Sequence, residues 1–519
     1  MAAGNLPDYD TDVLIVGAGP TGLVLALWLA RLGVRVRIID KTAEPGTTSR
    51  ALGVQARTLE FYAQLGIADA VVSEGRWAKA ANLWTSGRRR AHIEFGAIGA
   101  GLSPFPYALI YPQDEHETLL IARLVELGVV VERQTELVGF QQADRAVRAQ
   151  IVRPDGTKEF SRVGYVAGCD GAHSTVRERI GIGFPGGTYE HLFYVADVEA
   201  DGAALNGELN ITFDRNDFLV VFPLKQDGRA RFIGTVRSEQ NQTGELRWDD
   251  VSKNMIDRLR LAVRKVNWFS TYRVHHRVAE HFRSGRIFLL GDAAHIHSPV
   301  GGQGMNTGIG DAVNLAWKLA SVLRGANPRL LDSYEQERIA FARRLVDTTD
   351  KAFTQVTSSR ATARLVRLQL APLVAPFLFS SQKARLSLFR TISQIAIQYR
   401  GSAISSGIAG RVWGGDRLPW VNMDDGCDNF APLRSLDWQV HVYGEVKPEI
   451  ETLCSERRFA LHVFAYGAAT QHAGLRRNAA YLVRPDGYVA LASPDGQADK
   501  IAAYLDTWSP YPLHASTTS

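Results

Sequence analysis

Cysteine is scarce in this chain, with three residues, Cys169, Cys427 and Cys454, among 519. Their wide separation excludes both the Cys-x-x-Cys pair of a disulfide reductase and the cysteine framework of a small secreted domain. No basic residue precedes Arg31, and the apolar run before it reads as a strand and a helix, not as a signal peptide. We therefore expect a cytoplasmic protein.

Long apolar runs and strong charge of one sign are also lacking. The apolar stretch 368–379 is short and broken by prolines, so we expect no stable membrane insertion. This stretch could cover a substrate entrance, form a subunit contact or pack internally, and the sequence leaves these three roles open. The formal charge of +5 is slight for 57.1 kDa, and the run Arg88 to Arg90 lies in no nucleic-acid motif. We predict neither a nucleic-acid partner nor a metal site.

A glycine-rich turn between a strand and a helix stands near the start of the chain. The segment reads as strand Asp12–Val16, turn Gly17-Ala18-Gly19-Pro20-Thr21-Gly22, helix Leu23–Arg31, strand Arg35–Ile39 and then Asp40. Gly17 permits the tight turn, Gly19 lets the backbone approach a pyrophosphate, and Gly22 packs helix on strand. Asp40 can accept hydrogen bonds from ribose hydroxyls. The complete context predicts a dinucleotide site.

Two later segments repeat the pattern of a strand followed by a turn with an acid. Cys169-Asp170-Gly171 ends one strand and precedes a helix start that Ser174 is expected to cap. Gly291-Asp292-Ala293-Ala294-His295 follows the apolar strand Ile287–Leu290, and a helix opens behind Gly301, Gly302 and Gly304. The free N–H groups of that helix N-terminus can stabilise a negative charge.

In combination, the three segments closely resemble the single-component FAD-dependent aromatic hydroxylases, which include para-hydroxybenzoate hydroxylase, phenol hydroxylase and the polyketide hydroxylases. They match the three signature motifs of that family in order, and the resemblance covers nearly the whole chain. It implies an α/β fold with a Rossmann-like FAD domain, an inserted antiparallel-sheet substrate domain and a C-terminal thioredoxin-like domain.

The resemblance also implies residue roles. Asp292 binds the ribityl side of FAD, and the turn from Gly301 to Asn306 lies beside N1 and O2 of the flavin ring. Asp170 binds FAD or supports access of the nicotinamide, while Arg177 lies near the pyrophosphate or a structural acid. The predicted cofactor-binding residues are Gly17, Gly19, Pro20, Thr21, Gly22, Asp40, Lys41, Arg50, Gln113, Leu137, Asp170, Asp292, Gly304, Met305 and Asn306.

We expect the reaction to depend little on acidic or basic side chains of the protein. A flavin accepts hydride and activates dioxygen, and the protein supplies position and electrostatics. Pro299, Gly301 and Gly302 are predicted to shape the catalytic flavin face. Relatives often carry two prolines where this chain has Ser298 and Pro299; we expect Ser298 to face solvent or bond to the backbone. His295 is expected to bond locally, and no catalytic histidine is assigned.

The order of the motifs predicts the domain organisation. The FAD domain comprises 1–75, 101–180 and 283–345, because the last motif must return to the first sheet. The substrate domain comprises 76–100 and 181–282, in which Phe218, Val220 and Phe222 alternate on one strand face; core packing and an aromatic pocket both remain open. A helical segment follows at 346–400. Residues 401–519 form the thioredoxin-like domain, in which 459–465 reads as a buried strand and which supports the fold or a homodimer.

These observations predict an FAD-dependent monooxygenase that uses NADPH or NADH and dioxygen to hydroxylate a phenolic or polycyclic aromatic substrate through a flavin C4a-hydroperoxide. No second dinucleotide fingerprint is present, so NAD(P)H has no Rossmann domain of its own. The resemblance implies that the nicotinamide binds across the surface. Baeyer–Villiger oxidation and epoxidation on the same scaffold are alternatives. So are a flavin-binding redox sensor and, more distantly, a nicotinamide dehydrogenase.

Overall fold

The computed structural model describes residues 9–46, 51–213, 217–236, 246–298, 302–357, 374, 381–423 and 427–509. Three predicted site residues, Arg50, Pro299 and Gly301, therefore lie outside the described residues. So does all of the apolar stretch 368–379 except Val374.

The strands up to the third motif are β1 Thr11–Val16, β2 Val36–Ile39, β3 Gly53–Val54, β4 Arg76–Trp77, β5 Ala80–Thr85, β6 Arg88–Glu94, β7 Leu109–Ile110, β8 Val131–Glu132, β9 Glu136–Gln142, β10 Val147–Val152, β11 Lys158–Gly168, β12 Gly186–Asp201, β13 Leu209–Phe213, β14 Phe218–Pro223, β15 Arg229–Val236, β16 Ala262–Val278, β17 Arg283–Ser284 and β18 Ile287–Leu289. The later strands are β19 His295–Ile296, β20 Ser406–Ala409, β21 Val412–Trp413, β22 Gln439–Tyr443, β23 Ala460–Phe464, β24 Ala480–Val483 and β25 Val489–Ser493.

The α-helices are α1 Pro20–Arg31, α2 Ala56–Leu65, α3 Ala68–Glu74, α4 Gln113–Glu126, α5 Thr175–Arg179, α6 Asn254–Arg258, α7 Gly304–Leu323, α8 Asp332–Thr357, α9 Gln382–Ile392, α10 Pro448–Arg457, α11 Ala468–Ala473 and α12 Ala498–Trp508. Among the residues that the structure describes, none of these helices has the length and apolar character that a membrane crossing needs.

The first sheet has the order β17-β18-β11-β1-β2-β8, and the strands from β18 to β8 run parallel. Strands β9 and β10 extend it as an antiparallel meander from β11. Val16 lies in register with Gly168, and Gly168 with Leu289. The three signature segments therefore leave adjacent strands at the same edge, where ligands bind in open parallel sheets.

The second sheet has the order β19-β16-β12-β15-β14-β13-β5-β6 and is antiparallel except between β5 and β13. One face is buried against residues 248–261, with Leu219, Val221 and Phe232 in its core. Strand β19 follows the third motif directly and pairs with β16. The segment that carries Asp292 therefore joins the first sheet to the second.

The third sheet has the order β21-β20-β25-β24-β22-β23. Strands β22 and β23 are parallel and joined through α10, and the hairpin β24–β25 follows α11 and precedes α12. This is a thioredoxin-like arrangement. Strand β23 differs from the buried strand that its apolar sequence suggested, because it lies at the sheet edge with Val463 49% exposed.

A buried ion network fastens the third sheet to the first. Glu337 of α8 accepts from Lys318 of α7 at 2.9 Å and from Arg484 after β24 at 2.8 Å, and all three side chains are fully buried. Burial alone would raise the pKa of Glu337, but Arg484 and Lys318 hold it down to about 2. The carboxylate is therefore charged. Lys318 depends on it for neutralisation, whereas Arg484 also pairs with the buried carboxylate of Asp486 at 2.5 Å.

We predict that Glu337→Ala lowers the free energy of unfolding by about 3–5 kcal/mol, because it leaves buried Lys318 uncompensated and removes one of the two carboxylates that neutralise Arg484. Folding holds the pKa of Glu337 at about 2 against an ordinary value of 4.5, so its contribution is fully present above that value and lost as pH falls towards 2. Chemical unfolding at neutral pH measures the change. Arg476→Ala, which breaks an exposed pair with Asp495, is the control and costs less than about 1 kcal/mol. Equal losses in the two variants would contradict the network's role.

Candidate active site

Close backbone packing brings the first and third signature segments together. A Cβ on Gly291 would lie 2.7 Å from Oγ1 of Thr21, and a Cβ on Gly308 would lie 2.3 Å from the same oxygen. Gly291 also has a φ of +57°, which favours glycine. Helix α1, the Asp292 turn and helix α7 therefore meet at a point where only glycine fits.

Two glycines of the first turn are fixed by packing. Gly17 has a φ of +103°, and its Cβ would lie 2.3 Å from the carbonyl oxygen of Cys169. A Cβ on Gly22 would lie 2.0 Å from the carbonyl oxygen of Gly17. The first turn is thus pressed against the Asp-Gly segment and against its own helix.

Other glycines at this edge are less tightly packed. A Cβ on Gly19 would meet nothing within 4 Å, whereas a Cβ on Gly53, Gly302 or Gly304 would make ordinary van der Waals contacts at 3.7–3.9 Å. Gly19 precedes α1, and Gly304 begins α7, so two helix N-termini border this space. The residues form a cradle, open at the glycines, in which donor N–H groups are available to an anionic ligand.

Asp40 lies at the end of β2, as the sequence predicts, but it also serves the turn itself. Its Oδ2 accepts from the backbone N–H of Ala18 at 2.7 Å, and its Oδ1 accepts from Oγ1 of Thr42 at 2.7 Å. Oδ1 also accepts from the backbone N–H of Thr42 at 2.8 Å, so Oδ2 is the oxygen that keeps a lone pair for a ribose hydroxyl. The next residue, Lys41, is exposed.

The turn before α7 is held by Asn306, which is buried. Its Nδ2 donates to the carbonyl of Gly53 at 2.8 Å, and its Oδ1 accepts from the backbone N–H of Gln55 at 2.9 Å. Oδ1 also accepts from Oγ1 of Thr58 at 2.8 Å. Asn306 thereby fixes the spacing between the Gly53 turn and the start of α7, on both sides of the cradle.

The buried carboxylate of Asp311, on α7, fixes the Asp292 turn. Its Oδ2 accepts from the N–H of Gly291 at 3.0 Å and lies 2.7 Å from Nε2 of His295. Its Oδ1 accepts from Nε of Arg338 at 2.6 Å. Burial would raise the pKa of Asp311, but Arg338 and His295 hold it below its usual range. His295 therefore bonds locally, as expected, while Asp292 itself is exposed at the edge of the cradle.

Asp170 and Arg177 have structural bonds. Oδ1 of Asp170 accepts from Ser174 at 2.6 Å, and Oδ2 accepts from the N–H of Val176 at 3.1 Å, so Asp170 helps to cap α5. Ser174 is the N-cap, as predicted. Arg177 donates to the carbonyls of Ala293 at 2.9 Å and Ala172 at 2.8 Å, and the nearby carboxylates of Asp170 and Glu178 raise its pKa against the effect of burial. Its place near the pyrophosphate or a structural acid stays a prediction.

The remaining predicted cofactor residues surround the cradle. Pro20 is the first residue of α1, and Met305 is partly buried against the main core. Gln113 begins α4 and donates to Glu117 at 2.7 Å. The Leu137 side chain is buried in the core, which leaves only its backbone for a ligand contact.

Two side chains after β19 bear on the flavin-face prediction. Ser298 is fully buried, and its Oγ donates to the carbonyl of Thr349 at 3.4 Å, which is the backbone bond expected for it. Nδ1 of His297 lies 2.8 Å from the carbonyl oxygen of Ser298, so Nδ1 carries the proton. Burial lowers the pKa of His297 to about 4, and this side chain is neutral at neutral pH.

The second sheet turns a partly buried face towards the cradle. Phe218, Val220 and Phe222 lie on it, opposite the core face of Leu219 and Val221. Phe222 packs with Leu52 and Ile110, next to the Gly53 turn. Phe193, Phe218 and Tyr272 form a ring cluster further along. Phe218, Val220 and Phe222 thus form a partly buried apolar face of the second sheet, opposite the face that carries its main core.

Sequence reasoning missed the residues that support the site from behind. Asp311 lies seven residues after Gly304 on one face of α7, and this spacing was a usable signal. Arg338 and Gln394 carried no such signal. Gln394 donates to Oε1 of Gln303 at 2.8 Å and to Oγ1 of Thr307 at 3.0 Å, across a separation of some ninety residues.

Comparison with known families gives two matches. Residues 10–349 match the family described as FAD binding domain, and residues 413–512 match the C-terminal domain of aromatic-ring hydroxylases. The first match covers the first and second sheets, and the second covers most of the thioredoxin-like domain.

Individual relatives agree with the family matches. The chain is 32% identical over 504 residues to a flavin-dependent monooxygenase of Mycobacteroides abscessus, covering 93% of this chain and 98% of the relative. It is 37% identical over 415 residues to 6-methylpretetramide 4-monooxygenase of Streptomyces rimosus, covering 77% and 72%. The solved anhydrotetracycline hydroxylase of Streptomyces rimosus superposes with a TM-score of 0.77 at 28% identity, covering 97% and 99%. This protein therefore belongs to the FAD-dependent aromatic-ring hydroxylases and is a flavoprotein monooxygenase.

Proposed function

We propose that this enzyme binds FAD in the glycine cradle and uses NADPH or NADH and dioxygen to hydroxylate a polycyclic phenol held against the apolar face of the second sheet. The cradle is the observation that carries the proposal. Gly19 leaves open space, and Gly302 and Gly304 are only loosely packed, whereas Gly17 and Gly22 beside them leave no space. The N-termini of α1 and α7 lie at these glycines.

The residues present fit FAD. The N-terminus of α1 behind Gly19 suits the pyrophosphate, Asp40 suits the adenosine ribose, and exposed Asp292 suits the ribityl hydroxyls. The start of α7 suits the pyrimidine side of the flavin ring, where reduction places a negative charge. When bound, FAD accepts hydride from the nicotinamide and activates dioxygen.

The protein's own contribution is position and exclusion of water. Asn306 sets the distance between the Gly53 turn and α7, and Asp311 holds the Asp292 turn rigid. N–H groups at the start of α7 stabilise negative charge without reorganising during the reaction. The apolar face around Phe222 presents the aromatic ring and keeps water from it.

The substrate class follows from this apolar face and from the relatives. Val220 lies beside Ile211 and Ile233, which are partly buried like it, so the apolar surface extends over three strands. Such a surface suits several fused rings better than a single ring. Two relatives, by their names, act on 6-methylpretetramide and on anhydrotetracycline, which supports a polycyclic substrate here.

The test uses the purified enzyme with FAD. It is reduced without oxygen by NADPH or NADH, with and without polycyclic phenols, and then mixed with isotopically labelled dioxygen. We expect the aromatic to accelerate flavin reduction and one labelled oxygen atom to appear in the product. Reduction that yields only hydrogen peroxide for every aromatic tried would contradict the hydroxylase assignment.

The two kinds of glycine give a paired prediction. Gly19→Ala places a methyl group in the open cradle, so we expect FAD affinity to fall by about tenfold or more while apoprotein stability is unchanged. Gly22→Ala forces a carbon against the Gly17 carbonyl, so we expect it to destabilise the apoprotein by about 1–3 kcal/mol. Equilibrium FAD titration and thermal unfolding of the apoproteins measure both. Tight FAD binding by Gly19→Ala would place the cofactor elsewhere.

The apolar face of the second sheet gives a second prediction. Val220→Trp adds volume on this face, so we expect the KM for the aromatic substrate to rise by about tenfold or more, since less room is left for the substrate. FAD content and NADPH reduction without substrate should stay unchanged, because Val220 lies away from the cradle. Val220→Ile, of similar shape, is the control and should keep the original KM. Equal substrate kinetics in both variants would show that the substrate binds elsewhere.

A further inference from the structure

Three arginines gather beside the segment that follows Asp292. Arg177 lies with its guanidinium 3.9 Å from the ring centroid of Phe184, and Arg277 donates to the carbonyl of Phe184 at 3.5 Å. Arg343 of α8 donates to the carbonyl of Glu280 at 3.5 Å. Arg277 and Arg343 border the same surface pocket of about 240 Å³. The cluster therefore combines positive charge with a cavity.

These arginines differ in their pairing from Arg338 and Arg484, which are fully buried. Arg338 pairs with Asp311, and Arg484 pairs with Glu337, both at 2.8 Å or less. Within the residues that the structure describes, Arg177, Arg277 and Arg343 form no ion pair. Burial lowers the pKa of Arg177, and Arg277 lowers it further, although Asp170 and Glu178 oppose this. Adjacent guanidinium groups without a carboxylate partner favour an anion from outside the protein.

The other polar groups of the pocket indicate which kind of anion fits it. Glu280 lines the pocket, and its Oε2 accepts from the N–H of Gly183 at 3.2 Å. His276 also lines it, with its ring 4.8 Å from that of Tyr189 and its Nδ1 3.9 Å from Asp350. Cationic donors beside one carboxylate suit a nucleotide, whose phosphates accept from arginine and whose ribose hydroxyls donate to a carboxylate. A bare inorganic anion would gain nothing from Glu280.

The position of the pocket connects it to the cradle. Arg277 pairs in register with Ile296 on β19, and Arg177 donates to the carbonyl of Ala293. The backbone of Arg277 and the side chain of Arg177 thus contact the short segment between Asp292 and the flavin-face loop. A volume of about 240 Å³ accommodates phosphate groups but not a whole dinucleotide, so the remainder of the ligand must lie across the surface.

We propose that the pocket between β16 and α8, lined by Arg277 and Arg343, binds the phosphate groups of the nicotinamide nucleotide that reduces the flavin. This inference rests on the proposed function, which requires such a nucleotide and for which the chain has no second dinucleotide fingerprint. Arg277 and Arg343 contact the phosphates, and Arg177 adds positive charge behind Phe184.

The test is anaerobic flavin reduction by increasing NADPH in the FAD-loaded enzyme. We expect Arg277→Ala and Arg343→Ala each to raise the half-saturating NADPH concentration by about 10- to 100-fold, the loss of one charge-assisted hydrogen bond. FAD content and reduction by dithionite should be unchanged. Arg344→Ala is the control, because Arg344 is exposed on the same helix and does not line the pocket. The dependence on salt should be steeper in the wild type than in the two variants.

Competition by a fragment of NADPH tests binding at the pocket separately from hydride transfer. Adenosine 2′,5′-bisphosphate should compete with NADPH in the wild type and in Arg344→Ala, and compete about tenfold less well in the other two variants. Equal half-saturation in all four proteins, or loss of FAD from the pocket variants, would overturn the inference alone. A wild-type flavin that neither NADPH nor NADH reduces would instead contradict the proposed function.

Discussion

The geometry of the cofactor site depends on how one buried carboxylate distributes its hydrogen bonds. Asp311 binds the N–H of Gly291, the imidazole of His295 and the guanidinium of Arg338 at the same time. Arg338 in turn binds the carbonyl of Thr307 at 2.9 Å and the hydroxyl of Tyr399 at 2.8 Å. The Asp292 turn, helix α7 and helix α8 are therefore fixed relative to one another without any ligand, so the cradle is already formed.

Charge is used in two different ways in this molecule. Around the cradle and at the contact with the thioredoxin-like domain, buried cations are neutralised by carboxylates, as Glu337 neutralises Lys318 and Arg484. Breaking such a group costs stability, which explains how a domain without a Cys-x-x-Cys pair can serve the site by support alone. Beside the pocket of Arg277 and Arg343, among the described residues, these two cations form no ion pair, which is the difference on which the proposed nucleotide site rests.

Much of the fold could be predicted from local sequence. The strand β1, the turn at Gly17 and the helix α1 follow from short-range pattern, and the order of the motifs correctly implied a sheet interrupted by a second sheet. Burial was harder to predict, because it depends on what packs against an element. Strand β23 is apolar yet lies at an edge, and Val220 alternates like a core residue yet is only partly buried. The contacts of Arg338 and Gln394 join distant segments, and no local pattern predicts them.

The structure of the enzyme with FAD bound would show directly whether the three adjacent strand ends form one cofactor site. We expect the pyrophosphate over the N-terminus of α1 at Gly19, the ribityl chain beside Asp292 and the flavin ring beside the turn from Gly302 to Asn306. FAD bound with its pyrophosphate away from Gly19, or with its ring remote from the start of α7, would contradict this expectation.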